Sequence, residues 1–327
     1  MKIPFNKKKS DIYLITGATG FVGSSLIRRL IADESLVVAA VRAKPRKWEL
    51  QCAVLEVGDF SAGTNFSVAL AGVHSVVHTA ARVHIMNDKS ADALSEFRKV
   101  NVAGTLNLAR QAALAGVKRF LFISSIKVNG EQTNIGYPFT ADKIPVPSDP
   151  YGVSKYEAEM GLIAISKETG MEVVIIRSPL VYGPGVKANF LSMMKWVKRG
   201  IPLPLGRVTK NRRSFVFIDN LVSMIIACIN HPAAANQIFL VSDDEDLSTE
   251  GLLRRMAFAL GCSSKLIPVP VALITLCTKL FGRADIAQRL CGSLQVDIKK
   301  TKDLIGWSPP VSVDEGLRQT AAHFLKM

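Results

Sequence analysis

The stretch TGATGFVG, residues 16–23, constrains the fold more than any other part of the chain. It follows the β-branched apolar run IYLIT and opens the amphipathic segment SSLIRRLIAD. Glycines at 17, 20 and 23 let the backbone turn tightly and approach a pyrophosphate, whose charge is met by N–H groups at the start of a helix. The setting between a strand and a helix is what gives such a glycine triplet this meaning.

Five more apolar runs follow before residue 179: SLVVAAVR, CAVLEV, SVVHTA, KRFLFISS and MEVVIIRS, separated by helical patterns. Continuous apolar strands alternating with helices imply a parallel sheet covered on both faces. The expected class is α/β, a Rossmann-type doubly wound parallel sheet with a smaller C-terminal substrate lobe. Residues 183–215 lose the rhythm, with YGPG and GIPLPLG as punctuation. SFVFI and QIFLVS then read as strands, with a helix from Asn220 between them and a helical tail from Ser248. The expected domains are a dinucleotide-binding domain over 1–182, with a return segment at about 216–242, and a substrate lobe over 183–215 and 243–327.

Composition narrows the partners. A chain of 327 residues, 48% hydrophobic and 21% charged, can bury a full core. Its net charge of +14 favours anionic ligands. Nucleic acid is not expected, because no basic stripe is interleaved with aromatics, which make up 7% of the residues. Five cysteines without a CxxC pair fit reduced thiols in the cytoplasm. Five scattered histidines lack metal-ligand spacing, and the acidic run VSDDED reads as a turn into a helix capped near Ser248, so no metal is expected. The apolar run in MKIPFNKKKSDIYLITG is too short for a signal peptide and reads as a strand. LIPVPVALITLCTKLF, residues 266–281, is too short and proline-broken for a membrane span. It reads as a loop and a helix buried in the C-terminal lobe, although its basic surroundings also admit weak peripheral association with the inner face of a membrane.

The second strand ends in VRAKPRKW, where dinucleotide sites usually place an acid for the adenosine ribose. Arg42 suits a 2′-phosphate instead, with Lys44, Arg46 and Lys47 as solvated company. NADP(H) is therefore expected, with NAD(H) as the alternative. Asp59 and Phe60, in GDF after the third strand, stand where an adenine could be met.

YGVSK places Tyr151 and Lys155 on one helical face, where the lysine cation favours the tyrosinate and makes the phenol usable in proton transfer. FISSIKVNG brings Ser124 and Ser125 to the carboxyl edge of the sheet, where ligands of such folds bind. The glycine loop, the paired serines and YxxxK, together with HTAA, NVAGT, RSPLVYGPG and RRSFVFIDN, resemble the extended short-chain dehydrogenase/reductases, the NAD-dependent epimerase/dehydratase family, over nearly the whole chain.

The resemblance implies that Tyr151 is the acid/base, that Lys155 holds the nicotinamide ribose and tunes the tyrosine, and that Ser125 rather than Ser124 bonds the reacting oxygen. It implies cofactor contacts from Gly17, Thr19, Gly20, Phe21, Val22, Gly23, Arg42, Asp59, Phe60, Ala80, Ala81, Asn101, Tyr151, Lys155 and Pro179. Ser125, Lys127, Asn189 and Arg213 would meet a UDP-sugar substrate, with Arg289 as a lesser candidate. Ser214 departs from the family's usual Asp and puts the detail of the Arg213 contact in doubt. A homodimer is also implied, through helices at 91–116 and 151–168.

Dehydratases of this family carry an acidic pair after the catalytic serine, and Ile126 and Lys127 stand there. Epimerases commonly have a tyrosine at Asn129 and an acid in place of Arg42. The expected reaction is therefore NADPH-dependent reduction of the C4 ketone of a UDP-2-acetamido-2,6-dideoxy-hexos-4-ulose to UDP-QuiNAc or UDP-FucNAc, as in reductases of bacterial O-antigen and surface polysaccharide synthesis. The alternatives are a UDP-sugar 4-epimerase of the UDP-glucose/UDP-GlcNAc type with tightly bound NAD, and a non-catalytic NADP-binding scaffold. The scaffold would have no need of Ser125, Tyr151 and Lys155 together.

Overall fold

The computed structural model describes residues 11–83 and 92–327. The basic N-terminal stretch 1–10 and residue 91, the first of a segment expected to pair between subunits, lie outside the described residues.

The chain forms two compact units. The first comprises Met1–Val128, Pro145–Arg177 and Ile225–Phe239. Along it run β1 (Ile12–Thr16), α1 (Phe21–Ala32), β2 (Leu36–Val41), β3 (Ala53–Glu56), α2 (Ser67–Leu70), β4 (Ser75–His78), α3 (Ala93–Phe97), α4 (Thr105–Leu114), β5 (Arg119–Ser125), α5 (Pro150–Thr169) and β6 (Glu172–Ser178). All six expected apolar runs are strands. Their pairing is parallel from β3 through β2, β1 and β4 to β5. With β6 and the later strand they make a seven-stranded sheet of order β3-β2-β1-β4-β5-β6-β9, where β9 is Ile238–Leu240.

The core of this unit forms because strands buried on both faces must be covered by apolar helix faces. Leu14, Val76, Phe120, Phe122 and Ile175 from the sheet join Leu108, Ala109 and Ala112 of α4 and Ala158, Leu162 and Ile165 of α5. Between α3 and α4 the helix widens into a π-helical turn over Arg98–Gly104. Asp149 caps α5 by accepting from Gly152 N, and Pro150 stands at its first turn, where the missing N–H costs nothing.

The second unit comprises Asn129–Ile144, Ser178–Met224 and Leu240–Met327. A pair of parallel strands, β7 (Leu180–Tyr182) and β8 (Phe215–Phe217), lies within it. Its helices include α6 (Ala188–Lys198), α8 (Thr249–Ala259), α9 (Val271–Leu280), α10 (Ala284–Cys291), α11 (Lys299–Ile305) and α12 (Val313–Phe324), while α7 (Ile218–Asn230) passes from this unit into the first. Strand β7 and helix α6 lie in or beside a segment where the sequence shows only turns. Ser248 caps α8 through Gly251 N, and among the described residues no cluster of three potential metal ligands occurs.

One expectation fails here. The helix in 266–281 is not buried: of the side chains of α9, only Ile274 is fully covered. No described helix is long and apolar enough to cross a membrane.

Candidate active site

At the end of β1 the chain reverses at Gly17 in a left-handed conformation, φ +66°. A Cβ there would stand 2.6 Å from Thr79 Oγ1 and 2.7 Å from Ala80 N, so no larger residue fits against the end of β4. Gly20 is the N-cap of α1, offers no side-chain cap, and is followed by a first turn without acids. Thr19 and Gly20 are exposed, Phe21 and Val22 half-buried and Gly23 buried. This tight turn leads into a helix start whose amides are not met by a side chain, which is the form a pyrophosphate cradle requires. Ala80 and Ala81 lie just beyond β4, half-buried, with Ala80 N directed at Thr16 Oγ1 at 3.4 Å.

Below this turn His78 is fully enclosed. Its ring sits between Thr16 Oγ1 at 2.6 Å and Thr105 Oγ1 at 2.9 Å, stacked on Phe60 and Phe122. Burial first, and the nearby Lys155 charge second, drive its pKa down to about 3, so it is a neutral core residue. Phe60, expected near an adenine, also packs on Phe66 at 5.2 Å.

The cofactor-selecting charges have a different setting from the one expected. Arg42 is 78% exposed, and its Nε lies 3.7 Å from the carboxylate of Asp59, itself 85% exposed. Lys44 donates its backbone N–H to Glu56 at the end of β3. The basic loop after β2 is therefore faced by two acids, and Arg42 is half of a solvent-screened pair rather than an isolated cation.

The three expected catalytic residues stand on β5 and at the start of α5. Ser125 ends β5, and its Oγ accepts from Lys127 N at 3.3 Å. Lys127 forms an ion pair with Asp149, the cap of α5, which engages one expected substrate contact within the protein. Gly152 fits here because a Cβ would stand 2.9 Å from Lys127 O. One turn on, Lys155 is buried and donates its Nζ to Ile123 O at 2.9 Å, above the Phe122 ring at 4.3 Å. Burial lowers its pKa to about 7, against an upward pull from Glu159. Tyr151 lies on the same helical face, edge-on to Phe97. Its phenol is pushed up to about 12, by burial first and Asp149 second. The spacing alone points to a lowered phenol; desolvation of the site reverses that direction.

A second layer holds this face of α5 that sequence reasoning missed. Glu159, one turn beyond Lys155, is buried against Arg177 of β6, with Nη2 to Oε2 at 2.6 Å and Nε 3.1 and 3.2 Å from the two oxygens. Ser124 donates to the same carboxylate at 2.5 Å. The signal was present in YGVSKYEAE, which places a carboxylate four residues after the lysine. Asn101, expected at the cofactor, lies in the π-helical turn and is buried; it bonds Arg82 N at 2.8 Å, Arg82 O at 3.0 Å and Ser154 Oγ at 3.0 Å. It braces the chain after β4 against α5.

The remaining expected residues belong to the second unit. Pro179 is buried just after β6, and Asn189 is exposed in the first turn of α6. Arg213 bonds Leu247 in both backbone directions and donates Nη1 to Gly292 O at 3.3 Å; burial lowers its guanidinium pKa. Ser214, where an Asp was expected, donates to Asp246 at 2.5 Å and accepts from Val296 N. The carboxylate is thus present, but supplied by another segment. Arg289 is exposed and pairs with Asp285 of its own helix at 3.6 Å.

The chain is 51% identical over 322 residues, 98% of each sequence, to a UDP-glucose 4-epimerase of Vibrio cholerae. Its fold is similar to the UDP-glucose 4-epimerase of Thermotoga maritima solved with UDP-glucose, with a TM-score of 0.76 at 22% identity over 96% of this chain and 99% of that one. It is also similar to the UDP-glucuronic acid 4-epimerase of Bacillus cereus solved with NAD, with a TM-score of 0.76 at 21% identity over 96% and 97%. Residues 13–242 match the NAD dependent epimerase/dehydratase family, and the chain, with its strand-ending serine and its helical Tyr and Lys, belongs to that family of extended short-chain dehydrogenase/reductase enzymes.

Proposed function

We propose that this enzyme is a UDP-hexose 4-epimerase that works with NAD. The observation that carries this is the 51% identity, across 98% of both chains, to a protein named for that reaction. The alternative of a 4-ketoreductase rests on Arg42 and Asn129, and the identity to the relative weighs more than either. Arg42 already faces Asp59, and Asn129 is buried, with its amide donated to Thr140 O at 3.1 Å.

The residues present fit a nicotinamide dinucleotide. Gly17 leaves room that a Cβ would fill, and the uncapped start of α1 suits the pyrophosphate. When bound, NAD would supply a reversible acceptor for the C4 hydride, taken from one face of C4 and returned to the other. Tyr151 takes the proton of the C4 hydroxyl and returns it when the configuration has been inverted. Ser125 bonds the same oxygen, and Lys155, one turn along the same helical face, when protonated supplies a positive charge that favours the phenolate.

The test is incubation of the purified protein with UDP-glucose, and separately UDP-GlcNAc, without added reductant, following the C4 epimer by chromatography. Formation of the epimer, with NAD extracted from the protein, supports the proposal. No epimer with NAD supplied, together with stoichiometric NADPH oxidation by a UDP-linked 4-keto-6-deoxy sugar, overturns it in favour of the reductase.

A further inference from the structure

Helix α9 presents its apolar side outward. Leu273, Leu276 and Leu280 are spaced i, i+3 and i+7, which puts them on one face. They are 49%, 55% and 76% exposed, and Phe281 just beyond is 82% exposed. Ile267 and Ile286, in the segments before and after α9, are 48% and 38% exposed. A helix about 15 Å long that turns its leucines to solvent and keeps one isoleucine inside is the reverse of a surface helix, and such a patch marks an interaction site.

The charges around it choose the partner. Residues 263–291 carry Lys265, Lys279, Arg283 and Arg289 against one acid, Asp285, already engaged by Arg289. The neighbouring loop pairs with this segment through Leu203 and Leu266, and Gly206 N donates to Ile267 O. That loop belongs to a stretch, residues 187–218, with eight lysines and arginines and no acid. A second copy of a +14 chain would bring like charge against like charge across this face. An anionic bilayer surface meets both features, since leucine and phenylalanine enter the acyl boundary while lysine and arginine remain among the phosphates.

We propose that α9 and Phe281, rimmed by Lys265, Lys279 and Arg283, dock the enzyme reversibly on an anionic phospholipid surface. The proposal is independent of which sugar the enzyme converts.

The test is flotation of the full chain with phosphatidylcholine vesicles containing or lacking phosphatidylglycerol. Binding is expected only to the anionic vesicles and to weaken as salt rises. Leu276→Ser with Leu280→Ser is expected to lower the partition coefficient by about tenfold per leucine. Because both positions are exposed, circular dichroism and melting temperature should be unchanged. No binding to anionic vesicles, or binding that the double substitution leaves intact, overturns the proposal. So does self-association, seen by sedimentation, that the double substitution abolishes, because that result assigns the face to a second copy.

Discussion

Replacing Glu159 with Met removes a carboxylate bonded to the buried guanidinium of Arg177, and the cost can be worked from the geometry. Both side chains are almost wholly out of water, the carboxylate accepts from Nε and Nη2, and Ser124 adds a third donor. Breaking a buried pair from one side costs about 3–5 kcal/mol, chiefly because a charge stays behind in a medium that cannot solvate it. The lost Ser124 bond adds about 1 kcal/mol. The same substitution made together with Arg177→Met removes both charges, and the pair of changes should cost less than either alone. Urea unfolding of the two single variants and the double variant, followed by circular dichroism, measures the coupling. If the double variant is destabilised by the sum of the singles, Glu159 and Arg177 are not stabilising one another and the argument fails.

Tyr151→Phe should lower epimerisation by about a thousandfold while leaving the melting temperature within experimental error, a comparison of turnover and thermal unfolding. Lys155 has its pKa depressed from 10.5 to about 7, so between those values the unfolded chain holds a proton the folded one does not. Its contribution to stability is therefore present above pH 10.5 and lost as pH falls toward 7, with a slope of at most about 1.4 kcal/mol per pH unit. Lys155→Met should flatten that slope in unfolding curves taken across the window. Gly17→Ala should abolish retention of NAD on gel filtration, because the added Cβ meets Thr79 and strains a left-handed backbone. Arg42→Ala should leave NAD affinity by calorimetry unchanged; a marked loss would restore Arg42 as a cofactor contact.

The sheet was legible because parallel strands buried on both faces must be written in unbroken apolar runs, and the glycine turn is specified by sterics within a few residues. YxxxK was legible for the same local reason. What escaped depends on contacts between distant segments. Arg42 looks like a phosphate fork until Asp59, seventeen residues on, is seen beside it, and Lys127 looks available until Asp149 takes it. The raised Tyr151 phenol is a consequence of enclosure, which spacing does not encode. Helix α9 was misjudged because apolar composition does not say which way a helix faces.

The π-helical turn at Arg98–Gly104 carries a constraint on chain length. It holds Asn101 against Ser154 on one side and leads without a break into α4, whose Leu108, Ala109 and Ala112 lie in the core. Deleting one residue there would let the turn close to ordinary α-helical pitch, and because the widened turn already accommodates an extra residue, α4 would keep nearly its present phase. What the shorter segment would lose is the widened backbone that holds Asn101 against Ser154, so the extra residue serves the placement of Asn101 rather than the seating of α4.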